Sequence, residues 1–261
     1  MERQQQFLTE NDCYKAGRLI QPKGIMIHSV GVAQPNPDIF IRQWNQSKVP
    51  VCVHAFVTDS KVVQTLPWNY RGWHCGSGVN GSANNTHISI ECCEPSGHTY
   101  QGGTMIGYDV ERNQSFFQKL YDNLVKLCAN LCQEFKLNPL QEGVLICHAE
   151  GFQKGIASNH ADVLQWWPKH GTTMEQFRRD VQDELEGDEE MTQEKFNQMM
   201  TAYLEQRGIQ APAGWSEQAR GWAEGLGVIS GDAGGKKRYA SFATREEIVQ
   251  MLYQIFKTMK A

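Results

Sequence analysis

Short apolar runs punctuate the first half of the chain. Gly24-Ile25-Met26-Ile27 ends on His28, Val51 to Thr58 and Lys61 to Leu66 follow, then Ile88 to Cys92, and Val144 to Cys147 ends on His148. Runs of this length, bounded by Pro, Gly, Asn and Asp, read as strands. Asp59-Ser60 joins the second run to the third and predicts a β-hairpin. Helix patterns lie between them. Leu8 to Tyr14 opens with a cap signal and a short helix, and Pro37 to Gln46 places Ile39, Phe40 and Trp44 on one side. From Asn113 to Phe135 the apolar residues Phe116, Phe117, Leu120, Tyr121, Leu124, Leu127, Cys128, Leu131, Cys132 and Phe135 recur at three- and four-residue steps. That period predicts a long helix lying over one face of a sheet. Met174 to Leu185 predicts a second amphipathic helix. Strands interleaved with helices predict an α/β (α+β) domain, a mixed central β-sheet flanked by helices.

The pattern changes at Gly187-Asp188-Glu189-Glu190. Beyond it there is neither Cys nor His, and every recognisable element is helical. Thr192 is placed to cap Gln193 to Gln206, whose apolar residues are Phe196, Met199, Met200, Tyr203 and Leu204. Ser216 opens a helix carrying Ala219, Trp222 and Ala223, closed by Gly225 or Gly227. Thr244 with Glu247 forms a capping-box signature before Ile248, Met251, Leu252 and Ile255. The expected division is 1–187 and a small helical domain over 188–261. A unit of roughly seventy residues holds little stability by itself.

Composition narrows the function classes. The 261 residues carry 25 basic and 29 acidic side chains, a formal net charge of -4, and no basic patch that would suit nucleic acid. No run approaches the length of a membrane span. The opening MERQQQFLTEND lacks the apolar stretch of a secretory signal, so the expectation is synthesis in the cytoplasm without a signal peptide. All eight cysteines precede residue 150, and none forms a CxxC pair. They read as reduced, buried core residues.

The candidate chemistry sits at the ends of two strands. His148 closes one apolar run, and Asp162 follows fourteen residues later in a loop with Gly151 and Gly155, sealed by Trp166-Trp167-Pro168. A histidine and a carboxylate so placed make half of a catalytic zinc site, which uses three protein ligands and an open position. His28, ending its own apolar run, is the candidate for the missing ligand. A lone strand-end histidine is more often an ordinary buried or exposed residue. Two of them with an aspartate form a candidate set.

These residues fall in blocks that resemble the type 2 N-acetylmuramoyl-L-alanine amidases, which include phage lytic enzymes and are related to the peptidoglycan recognition proteins. The blocks are IMIHSVG around His28, VCVHAFV and VVQTLPWN, RGWHCG around His74, THISIECCE around Glu91, then CHAEG and NHADVLQWWP, in the family's order from His28 to about residue 186. The resemblance implies a zinc hydrolase that cuts the amide between N-acetylmuramic acid and L-alanine of the peptidoglycan stem peptide. It places the metal ligands on His28, His148 and Asp162 and the general base on Glu91, with Glu94 and Glu150 as competing carboxylates. The oxyanion-stabilising place, often Lys in the family, holds His160. His160 is also the alternative third ligand. His74 and His54 lie in blocks that line the substrate groove, with Trp73 placed to pack beside sugar or peptide, although His54 suits the core equally well and an aromatic at Trp73 is more often core. His87, His98 and His170 are expected at the surface.

The tail, WSEQARGWAEGLGVISGD and FATREEIVQMLYQIFK, resembles a degenerate S-layer homology repeat. That implies attachment to a secondary cell-wall polymer, or oligomerisation in homo-oligomers, since one repeat is fewer than the usual three. The combined expectation is a phage or prophage endolysin acting on the wall after release from the cytoplasm. Two alternatives stand beside it. One is a non-catalytic peptidoglycan-binding module, which an intact ligand set argues against. The other is a host muropeptide-recycling amidase, which the wall-binding-like tail disfavours.

Overall fold

The computed structural model describes residues 2–187, 193–232 and 234–259. It divides into two compact units, Met1–Glu189 and Glu190–Ala261. The boundary residues Asp188 to Glu190 and the proposed cap Thr192 lie outside the described residues.

In the first unit the strands are β1 (Glu2–Gln5), β2 (Gly24–Ser29), β3 (Ala55–Val57), β4 (Lys61–Gln64), β5 (His87–Cys92), β6 (Thr99–Gln101), β7 (Thr104–Ile106) and β8 (Leu145–Cys147). The helices are α1 (Asp12–Ala16), α2 (Pro37–Trp44), α3 (Val110–Phe135), α4 (His148–Gln153) and α5 (Met174–Gly187). Six strands form one sheet in the order β1-β4-β3-β5-β2-β8, while β6 and β7 pair separately. Only the β3–β4 hairpin is antiparallel within the large sheet. The expected mixed sheet with flanking helices is therefore the fold. Central strands β2 and β5 are buried at all six positions, as parallel strands covered on both faces must be.

Strand alternation separates two cores. Ile25, Ile27, Ala55, Val57, Ile88 and Ile90 face α3 and α5, together with Phe117, Leu124, Phe177 and Trp167. Phe56 and Val63 point the other way and pack with Leu8, Phe40 and Ile41. His28 and Glu91, being one residue out of phase with Ile27 and Ile90, belong to this second face. They are register partners on the adjacent parallel strands β2 and β5.

Three features depart from the expectations. β1 is a polar edge strand with no hydrophobic signal, since it pairs through its backbone with β4 and leaves Arg3, Gln4 and Gln5 exposed. The β6–β7 hairpin turns on Gly102 and Gly103, both at positive φ, which only glycine adopts freely. The stretch after His148 is helical rather than irregular. Glu150 accepts a hydrogen bond from Cys147 N at 3.0 Å and so caps α4. Gly151 lets that helix lie against β2, because a Cβ there would stand 2.6 Å from Met26 Cε.

The second unit holds α6 (Gln193–Gly208), α7 (Glu217–Gly225) and α8 (Arg245–Thr258). The capping box forms as expected, with Thr244 Oγ1 accepting from Glu247 N at 3.2 Å and Glu247 Oε2 accepting from Thr244 N at 2.7 Å. Ser216 opens α7, yet its hydroxyl donates back to Ala213 O at 2.8 Å instead of capping the helix. Among the described residues, Ala223 is the one buried hydrophobic side chain of this unit.

Candidate metal centre

Parallel strands β2, β5 and β8 bring their carboxyl ends together, where open α/β sheets gather their ligands. His28 is the fifth residue of β2, and His148 is the first residue of α4 directly after β8. Asp162 opens a short 3-10 turn, Asp162–Gln165, with φ at 45°. Aspartate enters that left-handed region more readily than most side chains, but the conformation must be held by its surroundings. Trp166 and Trp167 are fully buried just beyond it. Trp166 Nε1 donates to Ser29 Oγ at 3.1 Å, tying the Asp162 loop to the residue beside His28.

The three expected ligands converge. His28 Nδ1 lies 3.0 Å from His148 Nδ1 and 3.0 Å from Asp162 Oδ2, and His148 Nδ1 lies 3.1 Å from the same oxygen. Among the described residues this trio is the set able to hold a metal ion. A tetrahedral zinc with bonds of about 2.1 Å spaces its ligands about 3.4 Å apart. Two imidazole nitrogens and a carboxylate in a triangle of this size fit such an ion, and the donor types suit zinc. Burial holds His28 below the ordinary imidazole range against the pull of Asp162, which keeps it neutral and able to ligate. Burial pushes the Asp162 carboxyl up, but its hydrogen bonds to His148 and His28 outweigh that and leave it ionised, well below the usual carboxylate range.

Glu91 is buried beside this triangle, and among the described residues its Oε2 has no hydrogen-bond partner. Burial pushes its carboxyl well above the ordinary range, with the Asp162 and Glu94 charges acting in the same direction. A buried carboxylate oxygen without a donor suits a group that exchanges protons. The competing carboxylates are occupied elsewhere. Glu94 is wholly buried and accepts from Ser29 Oγ, Gly31 N, Tyr100 OH and His98 Nε2. Glu150 caps α4 and pairs with Arg178 at 3.0 Å.

The remaining candidates fall in different places. His54 is fully buried, its ring nitrogens held at 2.8 Å by Ser89 Oγ and by Tyr70 O, so it does not line a groove. Burial pushes its pKa down to about 4. Trp73 packs against the Leu8–Phe40 core. His74 sits at the centre, with Nδ1 2.9 Å from His28 Nε2. Burial, together with the neighbouring histidines His28, His54, His87 and His148, holds it well below the ordinary range. His160 is exposed at the rim, its Nδ1 3.3 Å from His148 Nε2. His87 and His98 are interior rather than surface residues, bonded to Gly143 O and Glu94, and His170 is half-buried, stacked on Phe117. Sequence reasoning passed over Asn84 and Ser158. Asn84 Oδ1 accepts from His74 N at 2.9 Å and Cys75 N at 3.2 Å. Ser158 Oγ lies 3.3 Å from His148 Nε2. Neither has a local signal, because each acts across the fold.

The fold and this cluster of donors agree with what the chain is similar to. The family model described as N-acetylmuramoyl-L-alanine amidase matches residues 18–167. The chain belongs to that family. It is 29% identical over 103 residues to the N-acetylmuramoyl-L-alanine amidase CwlH of Bacillus subtilis, covering 38% of this chain and 40% of CwlH. A shorter match to XlyA of the same organism is 51% identical over 41 residues, 16% of this chain and 14% of XlyA. The chain thus spans less than half the length of these curated relatives. Among solved structures, the catalytic domain of XlyA superposes with a TM-score of 0.50 at 21% identity, covering 69% of this chain and 99% of that one. PlyL gives 0.51 at 20% identity, covering 69% and 97%. At these identities the superpositions speak for the fold alone.

Proposed function

We propose that this chain is a zinc-dependent N-acetylmuramoyl-L-alanine amidase of the endolysin type, hydrolysing the amide between N-acetylmuramic acid and L-alanine of the stem peptide. The observation that carries the reading is the triangle of His28, His148 and Asp162 with the unpartnered Glu91 on the neighbouring strand. Zinc held by those three side chains would supply a Lewis acid that polarises the scissile carbonyl and lowers the pKa of water toward about 7. Glu91 takes the proton as water oxygen bonds to the carbonyl carbon, and returns it to the nitrogen as the C–N bond breaks. His160, exposed at the rim, donates to the developing oxyanion when protonated. The products are a lactyl carboxylate and a free L-alanine amine.

Digestion of purified walls tests this. New L-alanine amino termini should accumulate without new reducing sugars, and a zinc chelator should stop their release. New reducing ends would identify a glycosidase, and no cleavage at all with zinc supplied would leave only a binding module.

The second unit is proposed to attach the enzyme to the wall. Its exposed aromatics Trp215, Trp222 and Phe242 support a role in contact rather than in a core. Removing residues 188–261 should weaken binding to intact walls several-fold while leaving turnover of soluble muropeptides nearly unchanged. Equal losses in both assays would make the unit a stabilising appendage.

A further inference from the structure

We infer that His74 is a positioning residue: by accepting the Nε2–H of His28 it keeps His28 Nδ1 free of a proton and aimed into the triangle with His148 and Asp162. The inference rests on the metal reading of that triangle. A neutral imidazole carries one proton, on one nitrogen or the other. If His28 Nδ1 is to offer a lone pair beside His148 Nδ1 and Asp162 Oδ2, its proton must sit on Nε2. The partner 2.9 Å from Nε2 is His74 Nδ1. The opposite arrangement, with His74 donating, drives the His28 proton onto Nδ1, between the other two donors, where it excludes a cation.

Among the described residues His74 Nε2 is buried with no hydrogen-bond partner, so the ring's polar contact is the one its Nδ1 makes with His28 Nε2. The ring is also fixed from outside. Asn84 Oδ1 accepts from both His74 N and Cys75 N. Gly72 leaves room for it, since a Cβ there would stand 3.1 Å from His74 Cδ2, 3.2 Å from His54 Cε1 and 3.1 Å from Cys52 O. His54, pinned by Ser89 and Tyr70, forms the wall behind. His148 has no equivalent support, for its Nε2 meets only Ser158 Oγ and the exposed His160 Nδ1, each at 3.3 Å.

Two substitutions separate an acceptor from a filler. In H74N the amide oxygen occupies the place of Nδ1 and keeps the acceptor while losing ring volume. In H74F the ring remains and the acceptor is lost. Zinc affinity, measured by competition with a chromophoric chelator, should stay within about 3-fold of the unmodified protein in H74N and fall about 10- to 100-fold in H74F. The reverse order, or equal affinities, overturns the inference. Nitrogen NMR of His74 in the zinc-loaded, unmodified protein gives a second reading that needs no variant to fold. The Nε2–H tautomer of His74, with Nδ1 accepting from His28, is expected, and Nδ1–H on His74 overturns the inference. If the unmodified protein itself takes up no zinc, the function proposed above fails first. Zinc binding with indifferent variants sinks the His74 role alone.

Discussion

Glu91→Gln is expected to cut turnover of muropeptides by about 10²- to 10⁴-fold, the usual range for losing a general acid–base group, while the protein still takes up its metal. The isosteric amide fills the same space on β5 but cannot accept the proton. The donors His28, His148 and Asp162 do not include Glu91, so their triangle stays as it is. A stability readout accompanies the kinetic one. Burial raises the folded-state pKa of Glu91 above its unfolded value, with Asp162 and Glu94 adding to the effect. Such a carboxyl binds more protons folded than unfolded. It therefore costs stability increasingly as pH climbs from the ordinary carboxylate value toward the raised one. The metal-free Glu91→Gln protein should melt at a higher temperature than the metal-free parent at pH 7, and the gap should close near pH 4. Undiminished turnover would remove Glu91 from the reaction. Glu94 could not replace it, because its oxygens already serve four donors.

How much of this was readable along the chain depends on how local each cause is. β2 and β8 announce themselves as apolar runs, and a histidine at the end of such a run is placed at the carboxyl end of its strand by the run itself. Their convergence needs only parallel strands side by side. Glu91 follows in the same way, by alternation from Ile90. His54, left open between groove and core by its sequence, lies between Cys52 and Phe56, both fully buried, and the structure places it in the core. His98 was not accessible to alternation. Its burial depends on Glu94, a carboxylate whose own neighbours are Ser29 and Gly31 at the end of β2 and Tyr100 on β6. The contact from His74 to His28 spans 46 residues, with α2, β3 and β4 between them. No spacing rule reports it, and the motif around His74 pointed to substrate instead.

Asp162→Asn is expected to lower zinc affinity by about 100-fold or more, since even losing an outer partner of a ligand commonly costs 10- to 100-fold. Asparagine is the right replacement because the residue sits at φ 45°, a conformation asparagine tolerates and alanine does not. A loss can then be assigned to the missing carboxylate and not to a refolded loop. His160→Ala provides the contrast. His160 Nδ1 lies against His148 Nε2, the nitrogen on the opposite side of that ring from Asp162 Oδ2, so it cannot act as third donor where it stands. Zinc affinity should change little in His160→Ala, while turnover should fall about 10²-fold if it donates to the oxyanion. The sum of the two results decides the ligand set. If Asp162→Asn kept its zinc and His160→Ala lost it, the loop would have to rearrange on binding, with the exposed imidazole swinging inward past His148 to take the third position.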